Sequence, residues 1–346
     1  MDIRKQLGEL LMVGFMGQEM TADLAAHIRD LQPAGLIFFS RNISAPEQLA
    51  QLTRDIQTLA LQELGRPLFL AVDQEGGSVA RMGPPFTQIP DAVSLGRTGC
   101  ESVRHYSRLT SREMFQVGLN LNLAPVLDVN SAGSAGVMAR RSFGDDPSLV
   151  TQCGIAAISA SQDENIMATA KHFPGLGRTH HDPHHDLPMV SADVEELERT
   201  DLPPFRAAIQ ADVACVMTSH TLYPALDPDN PGTFSSTILR NLLRAQLGFD
   251  GLLITDDLEM GAVVERYSQA DAPIAALQAG ADLLLVCNDL EKMHLTAEVV
   301  LDGLNRGMLD SHDLSLSLTR LVKLRKMYLD PPHLADVATV AAHFST

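Results

Sequence analysis

Apolar residues gather along the chain in eight short runs: Leu10–Phe15, Gly35–Phe39, Leu68–Asp73, Leu119–Val126, Ile166–His172, Val213–Ser219, Gly251–Thr255 and Asp282–Cys287. Most are continuous rather than alternating. A strand with water on one face alternates apolar and polar side chains, so unbroken runs predict parallel strands buried on both faces. Between the runs the apolar spacing is helical. Ser44-Ala45-Pro46-Glu47 predicts an N-cap with proline in the first turn. Ser235-Ser236 precedes a helix that ends at Gly248, Ala270–Ala279 stops at Gly280, and Asp289–Gly303 is helical in period. Eight strands alternating with helices predict a (β/α)8 barrel. An open doubly wound sheet is the alternative. Against it, no run leads into G-x-G-x-x-G, and charged residues stand at many run ends rather than at one crossover. Leucines at helical spacing in Ser311–Tyr328 predict a last helix that closes the barrel. With no linker or composition shift, residues 1–346 are expected to form one domain, with the closing helix and tail from about 311.

Barrel enzymes place their chemistry at the C-terminal ends of the strands. The third run ends in Asp73 and Glu75, with Arg81 beyond a Gly-Gly turn. The fourth is followed by Asp128 and then Arg141, and the fifth delivers Lys171 and His172. The sixth ends at Ser219-His220 and the seventh at Asp256-Asp257. Carboxylates accept from hydroxyls while Lys and Arg donate to them, so these ends suit a neutral, hydroxyl-rich ligand. Asp256 follows four apolar residues and is expected at a strand tip facing the pocket. Asp257 alternates away and is expected to cap the next helix. His220 reads equally well as a pocket residue and as a satisfied core histidine. Asp145-Asp146-Pro147 is expected to turn the chain and cap a helix.

The stretch Lys171–Pro188, KHFPGLGRTHHDPHHDLP, is the densest in titratable groups. Asp182 stands two residues before His184, a spacing that lets the carboxylate hold one ring nitrogen while the other shuttles a proton. His180, His181, His184 and His185 with Asp182 and Asp186 could also be metal ligands. They lie consecutively on one proline-interrupted loop, without H-E-x-x-H, so neither a metal nor another cofactor is expected.

A formal charge of −17 without a basic run argues against nucleic acid and anionic membranes as partners. No segment reaches the roughly 20 apolar residues that span a bilayer. The N-terminus carries no apolar stretch with a small-residue cleavage site. The cysteines Cys100, Cys153, Cys215 and Cys287 are far apart and form no C-x-x-C pair. They are expected to be free thiols in a reducing compartment, which places the protein in the cytoplasm. A monomer acting on a small carbohydrate is expected.

GLIFFSRN, VDQEGGSVAR, LNLAPVLDVN, RRSFGDDP, KHFPGLGRTHHDPHHDLP and LLITDDLEMGAV together resemble family 3 glycoside hydrolases. Within that family the likeness is to the bacterial β-N-acetylhexosaminidases of peptidoglycan recycling, and it covers nearly the whole chain. The resemblance implies a retaining exo-β-N-acetylglucosaminidase. Asp256 matches the nucleophile, His184 the acid/base and Asp182 its partner. Asp73, Arg81, Arg141, Lys171 and His172 match residues that hold the N-acetylglucosamine ring. Leu176, Pro183 and Ser78 stand where His, Ser or Thr, and Arg are commoner, and none of these departures removes a catalytic residue. The competing readings are a metal-dependent hydrolase built on the His/Asp loop and a β-glucosidase-type specificity within the same family.

Overall fold

The computed structural model describes residues 7–131, 133, 136–179, 188–288 and 290–345. Its strands and helices run β1 (Leu11–Val13), α1 (Ala22–Leu31), β2 (Gly35–Phe38), α2 (Pro46–Leu59), β3 (Phe69–Val72), α3 (Ala92–Thr98) and α4 (Cys100–Gln116). They continue with β4 (Leu121–Asn122), α5 (Pro147–Gln162), β5 (Met167–Phe173), α6 (Leu202–Gln210), β6 (Cys215–Thr218) and α7 (Thr237–Gln246). The series ends with β7 (Leu252–Asp257), α8 (Asp271–Ala279), β8 (Leu283–Val286), α9 (Leu290–Asn305), α10 (Ser311–Tyr328) and α11 (Val337–Phe344). The eight strands form a closed barrel in chain order. All pairs are parallel, and closure is made by Leu11 opposite Leu284 and Val13 opposite Val286. Each of the eight expected runs falls on one barrel strand, with β5 and β7 extending one and two residues beyond theirs.

The continuous apolar runs have a simple cause. Met12, Ile37, Phe69, Ala71, Met167, Leu252, Ile254, Leu283 and Leu285 belong to the cluster filling the barrel interior. Their neighbours Leu11, Val13, Leu36, Leu70, Val72, Leu284 and Val286 belong to the cluster between barrel and helices. Each strand therefore needs apolar residues at both parities. Leu321 and Leu324 of α10 join the interior cluster, so this helix closes the barrel as expected.

Several local expectations need correction. The N-cap of α2 is Ala45, not Ser44; Ser44 instead donates its N–H and hydroxyl to the Gln48 side chain. The N-cap of α7 is Ser236, and the neighbouring Ser235 Oγ accepts from Ile238 N at 3.1 Å, while Asp146 caps α5 ahead of Pro147. Two short hairpins, Gln74–Gly76 with Val79–Ala80 and Leu222–Tyr223 with Asp227–Pro231, went unseen in the sequence, as did α11. The largest correction concerns the cysteines. Cys100 and Cys153 form a disulfide, with Cα atoms 4.6 Å apart. Cys100 opens α4 and Cys153 lies within α5, and the two helices pack side by side, a proximity that sequence spacing does not report. Only Cys215 and Cys287 are free and buried, as expected of residues inside apolar runs. No helix among the described residues is long and apolar enough to cross a membrane.

Candidate active site

Strand parity carries the interior pattern to the barrel mouth. Phe69 and Ala71 face inward, so the next residue of that parity, Asp73, does too. The same count takes Leu252 and Ile254 to Asp256, and Met167 and Thr169 to Lys171. In β5 the register shifts between Ala170 and Phe173, and the Lys171–His172 peptide is cis. These strand ends therefore deliver polar side chains where the apolar filling stops.

Lys171 lies at the centre of the cluster, with its side chain only 2% exposed. Its Nζ donates to Asp73 Oδ1 at 2.9 Å and pairs with Glu75 Oε1 at 2.7 Å. Arg141 grips the same Glu75 with both arms, Nε to Oε2 at 2.8 Å and Nη2 to Oε1 at 2.7 Å. Arg81 lies 3.8 Å from Asp73. Burial pushes the Glu75 carboxyl up, but Lys171 and Arg141 outweigh it and hold the acid well below the ordinary range. Burial likewise pushes Lys171 down, and Asp73 with Glu75 more than reverses this, so the ammonium is held charged. Opposite charges at this depth keep one another ionised.

His172 stands beside this group. Its Nδ1 donates to Asp128 Oδ2 at 2.8 Å, which leaves Nε2 facing Arg141 Nη2 at 3.5 Å. Asp128 is fully buried, and its Oδ1 also accepts from the backbone N–H groups of His172 and Leu176. One carboxylate thus fixes both the tautomer of His172 and the start of the loop that follows. Glu75 is anchored in a related way. Asn122 of β4 accepts from Gln74 N and donates to Gln74 O, pinning the hairpin that carries Glu75.

Asp256 and Asp257 differ sharply. Burial raises Asp256, but His172, His220, the N–H of Asp257 and Lys171 together hold its carboxyl below the usual carboxylate value. Burial pushes Asp257 up to about 7, assisted by the negative charges of Glu259 and Asp256. Asp257 does not cap the next helix as expected. Its Oδ1 accepts from Glu259 N at 3.1 Å, closing the turn after β7, while the following short helix is preceded by Met260. His220 proves to be both pocket neighbour and satisfied histidine. Its Nε2 donates to the Asp257 carbonyl at 3.0 Å, so Nδ1 accepts from Thr233 Oγ1 at 2.8 Å. Burial keeps its imidazole below the ordinary value, against the opposing pull of Asp256.

Asp73, Arg81, Arg141, Lys171, His172 and Asp256 are thus brought to one face of the barrel. His184 and Asp182 lie outside the described residues, as do His180, His181, His185 and Asp186. Among the described residues, no three His, Cys, Asp or Glu side chains converge as a metal site would require. Glu75 and Asp128 are central to the ionic network, although sequence reasoning noted them only in passing. Their signal was position after a strand end, shared with many solvated acids.

A closed barrel with a buried acid–base cluster at its C-terminal mouth is the layout of a barrel enzyme. Residues 2–324 match the glycosyl hydrolase family 3 N terminal domain, and the chain belongs to that family. A beta-hexosaminidase from Pseudomonas aeruginosa is 37% identical, the match covering 86% of each chain. Beta-hexosaminidase A of Pseudoalteromonas piscicida is 32% identical over 93% of this chain and 60% of its own length. The structure of a family 3 β-N-acetylglucosaminidase from Paenibacillus sp. superposes with a TM-score of 0.93 at 35% identity, covering 97% of this chain and 64% of the other. This chain therefore spans about three fifths of the length of two of these relatives.

Proposed function

We propose that this chain is a retaining exo-β-N-acetylglucosaminidase that releases terminal β-linked N-acetylglucosamine from muropeptides or chito-oligosaccharides. The observation that carries this reading is the placement of Asp256, at the inward-facing tip of β7 on the same barrel face as Asp73, Arg81, Arg141, Lys171 and His172. A nucleophile must be ionised when it attacks, and Asp256 is held below the usual range while Asp257 is pushed up to about 7. In the proposed reaction Asp256 attacks the anomeric carbon as His184, oriented by Asp182, protonates the leaving oxygen. The same histidine then deprotonates the water that releases the sugar. Asp73, Arg81, Arg141, Lys171 and His172 hold the sugar hydroxyls, the first four placed by their pairing with one another and with Glu75 before substrate arrives. The N-acetyl specificity rests on the relatives, which are named beta-hexosaminidase or β-N-acetylglucosaminidase. We propose that the protein acts as a monomer. The cytoplasmic placement loses its cysteine argument, because Cys100 is bonded to Cys153.

Turnover of a nitrophenyl β-N-acetylglucosaminide beside the matching β-glucoside tests the substrate class. Strong preference for the N-acetyl sugar is expected, and equal turnover would move the enzyme to a β-glucosidase-type specificity. His184→Ala should slow cleavage of a disaccharide by roughly 10²–10⁴-fold and that of the nitrophenyl glycoside far less, since nitrophenolate leaves without a proton. Equal slowing of both would assign proton donation to another group. His185→Ala serves as the control for the position of the acid/base.

A further inference from the structure

We propose that the Cys100–Cys153 disulfide is a positioning element for Arg141, and through it for sugar affinity, an inference that rests on the sugar-holding role given to Arg141 above. Arg141 sits within residues 136–146, ahead of α5, and this stretch passes between two helical walls. On one side are α3 and the start of α4; on the other is α5. Arg140 donates two N–H groups to Oδ2 of Asp91, the N-cap of α3, at 3.0 and 2.7 Å. Gly96 of α3 lies so close to the Phe143 carbonyl that a Cβ there would fall 1.9 Å from the oxygen. Phe143 belongs to one apolar cluster with Leu95 of α3, Val103 of α4, and Val150 and Cys153 of α5. The segment is clamped between the walls rather than laid over them.

What joins the walls decides how firmly the clamp holds. The Arg140–Asp91 pair is weak because the Arg140 side chain is 72% exposed, and exposed pairs contribute little. Apolar packing at Phe143 and between α4 and α5 adds to the clamp without a covalent link. The disulfide is the covalent tie, running from the first residue of α4 to the middle of α5. It also encloses a stretch that contains Asp128, Arg140 and Arg141. A small cavity lined by Glu75, Arg141, Leu95, Phe143 and Ala157 lies between barrel and walls, leaving space for the segment to relax. With the tie made, the Arg141 fork is fixed on Glu75 before a ligand binds. Without it, part of the binding free energy is spent on ordering the segment. That loss falls on ground-state affinity rather than on the Asp256 chemistry.

Reduction by dithiothreitol supplies the two electrons and two protons that convert the disulfide to two thiols, and dithiothreitol becomes a cyclic disulfide. The test compares oxidised enzyme, reduced enzyme and the double variant Cys100→Ser/Cys153→Ala on the nitrophenyl N-acetylglucosaminide. Reduction and the double variant should each raise KM roughly three- to tenfold, with kcat within about twofold. Dithiothreitol should leave the double variant unchanged. Hydrogen exchange in residues 138–146 should accelerate on reduction, a readout that needs no substrate. Unchanged KM and unchanged exchange on reduction overturn the inference, as does a count of four thiols in unreduced, denatured protein. Accelerated exchange in a protein that turns over no N-acetylglucosaminide would instead refute the proposed function and leave the coupling standing. Reduction of the wild-type chain keeps the test open if the double variant fails to fold.

Discussion

Asp256→Asn is expected to lower hydrolysis by roughly 10⁴-fold or more, the loss typical when the attacking group itself is removed. The substitution is close to isosteric, and its amide oxygen can still accept from Asp257 N, so the turn after β7 should persist. Asp257→Asn should be much milder. Burial already pushes its carboxyl up to about 7, and its role is to accept from Glu259 N. Glu259 is also occupied, with Oε2 accepting from Cys287 N and Asn288 N and Oε1 paired with Lys292. A fluorinated N-acetylglucosaminyl or glucosyl inactivator should therefore label Asp256 alone. Mass spectrometry that finds the label on Asp257 or Glu259 would overturn the assignment, and retention of most activity in Asp256→Asn would remove the covalent mechanism.

The barrel was legible because burial on both faces leaves a simple trace. Leu68–Asp73 contains a strand in which Phe69 and Ala71 fill the interior while Leu70 and Val72 meet the helices. Only one parity continues into the mouth, which is why Asp73 and Asp256 could be placed from the sequence. The hairpin carrying Glu75 was not legible. Its three-residue strand is held by Asn122, a long-range hydrogen bond with no periodic signature. Asp128 was hidden for a related reason. A fully buried acid and a solvated one look alike in sequence until the histidine and backbone N–H groups that satisfy it are known. The cysteine reading failed because spacing along the chain says nothing about helices packed side by side. Asp257 failed through local geometry, since the chain turns at Glu259 before the next helix begins at Gly261.

Lys171→Met should combine a loss of stability with a loss of affinity, because the same ammonium serves both. The side chain is buried and bonds two carboxylates, Asp73 at 2.9 Å and Glu75 at 2.7 Å. Methionine fills a similar volume but leaves those acids facing each other without their shared cation. Removing one partner of a buried ionic network typically costs about 3–5 kcal/mol, since the remaining charge stays desolvated. Arg141 still grips Glu75 and Arg81 still faces Asp73, so the lower end, about 3 kcal/mol, is expected. For a chain of this length that corresponds to a fall in Tm of roughly 4 °C. Affinity should fall as well, because a charged hydrogen bond to ligand contributes about 1.5–3 kcal/mol, or on the order of 10- to 100-fold in KM. Lys323→Met provides the contrast. Its partner Asp250 lies at the same 2.9 Å, but both side chains are more than half exposed, so Tm and KM should stay near the wild-type values. Thermal unfolding and steady-state kinetics of the two variants separate the possibilities. A Lys171→Met enzyme that melts with the wild type would mean the cluster is not held by its buried cation. One that melts early but keeps its KM would make Lys171 a purely structural residue and take it out of the sugar site.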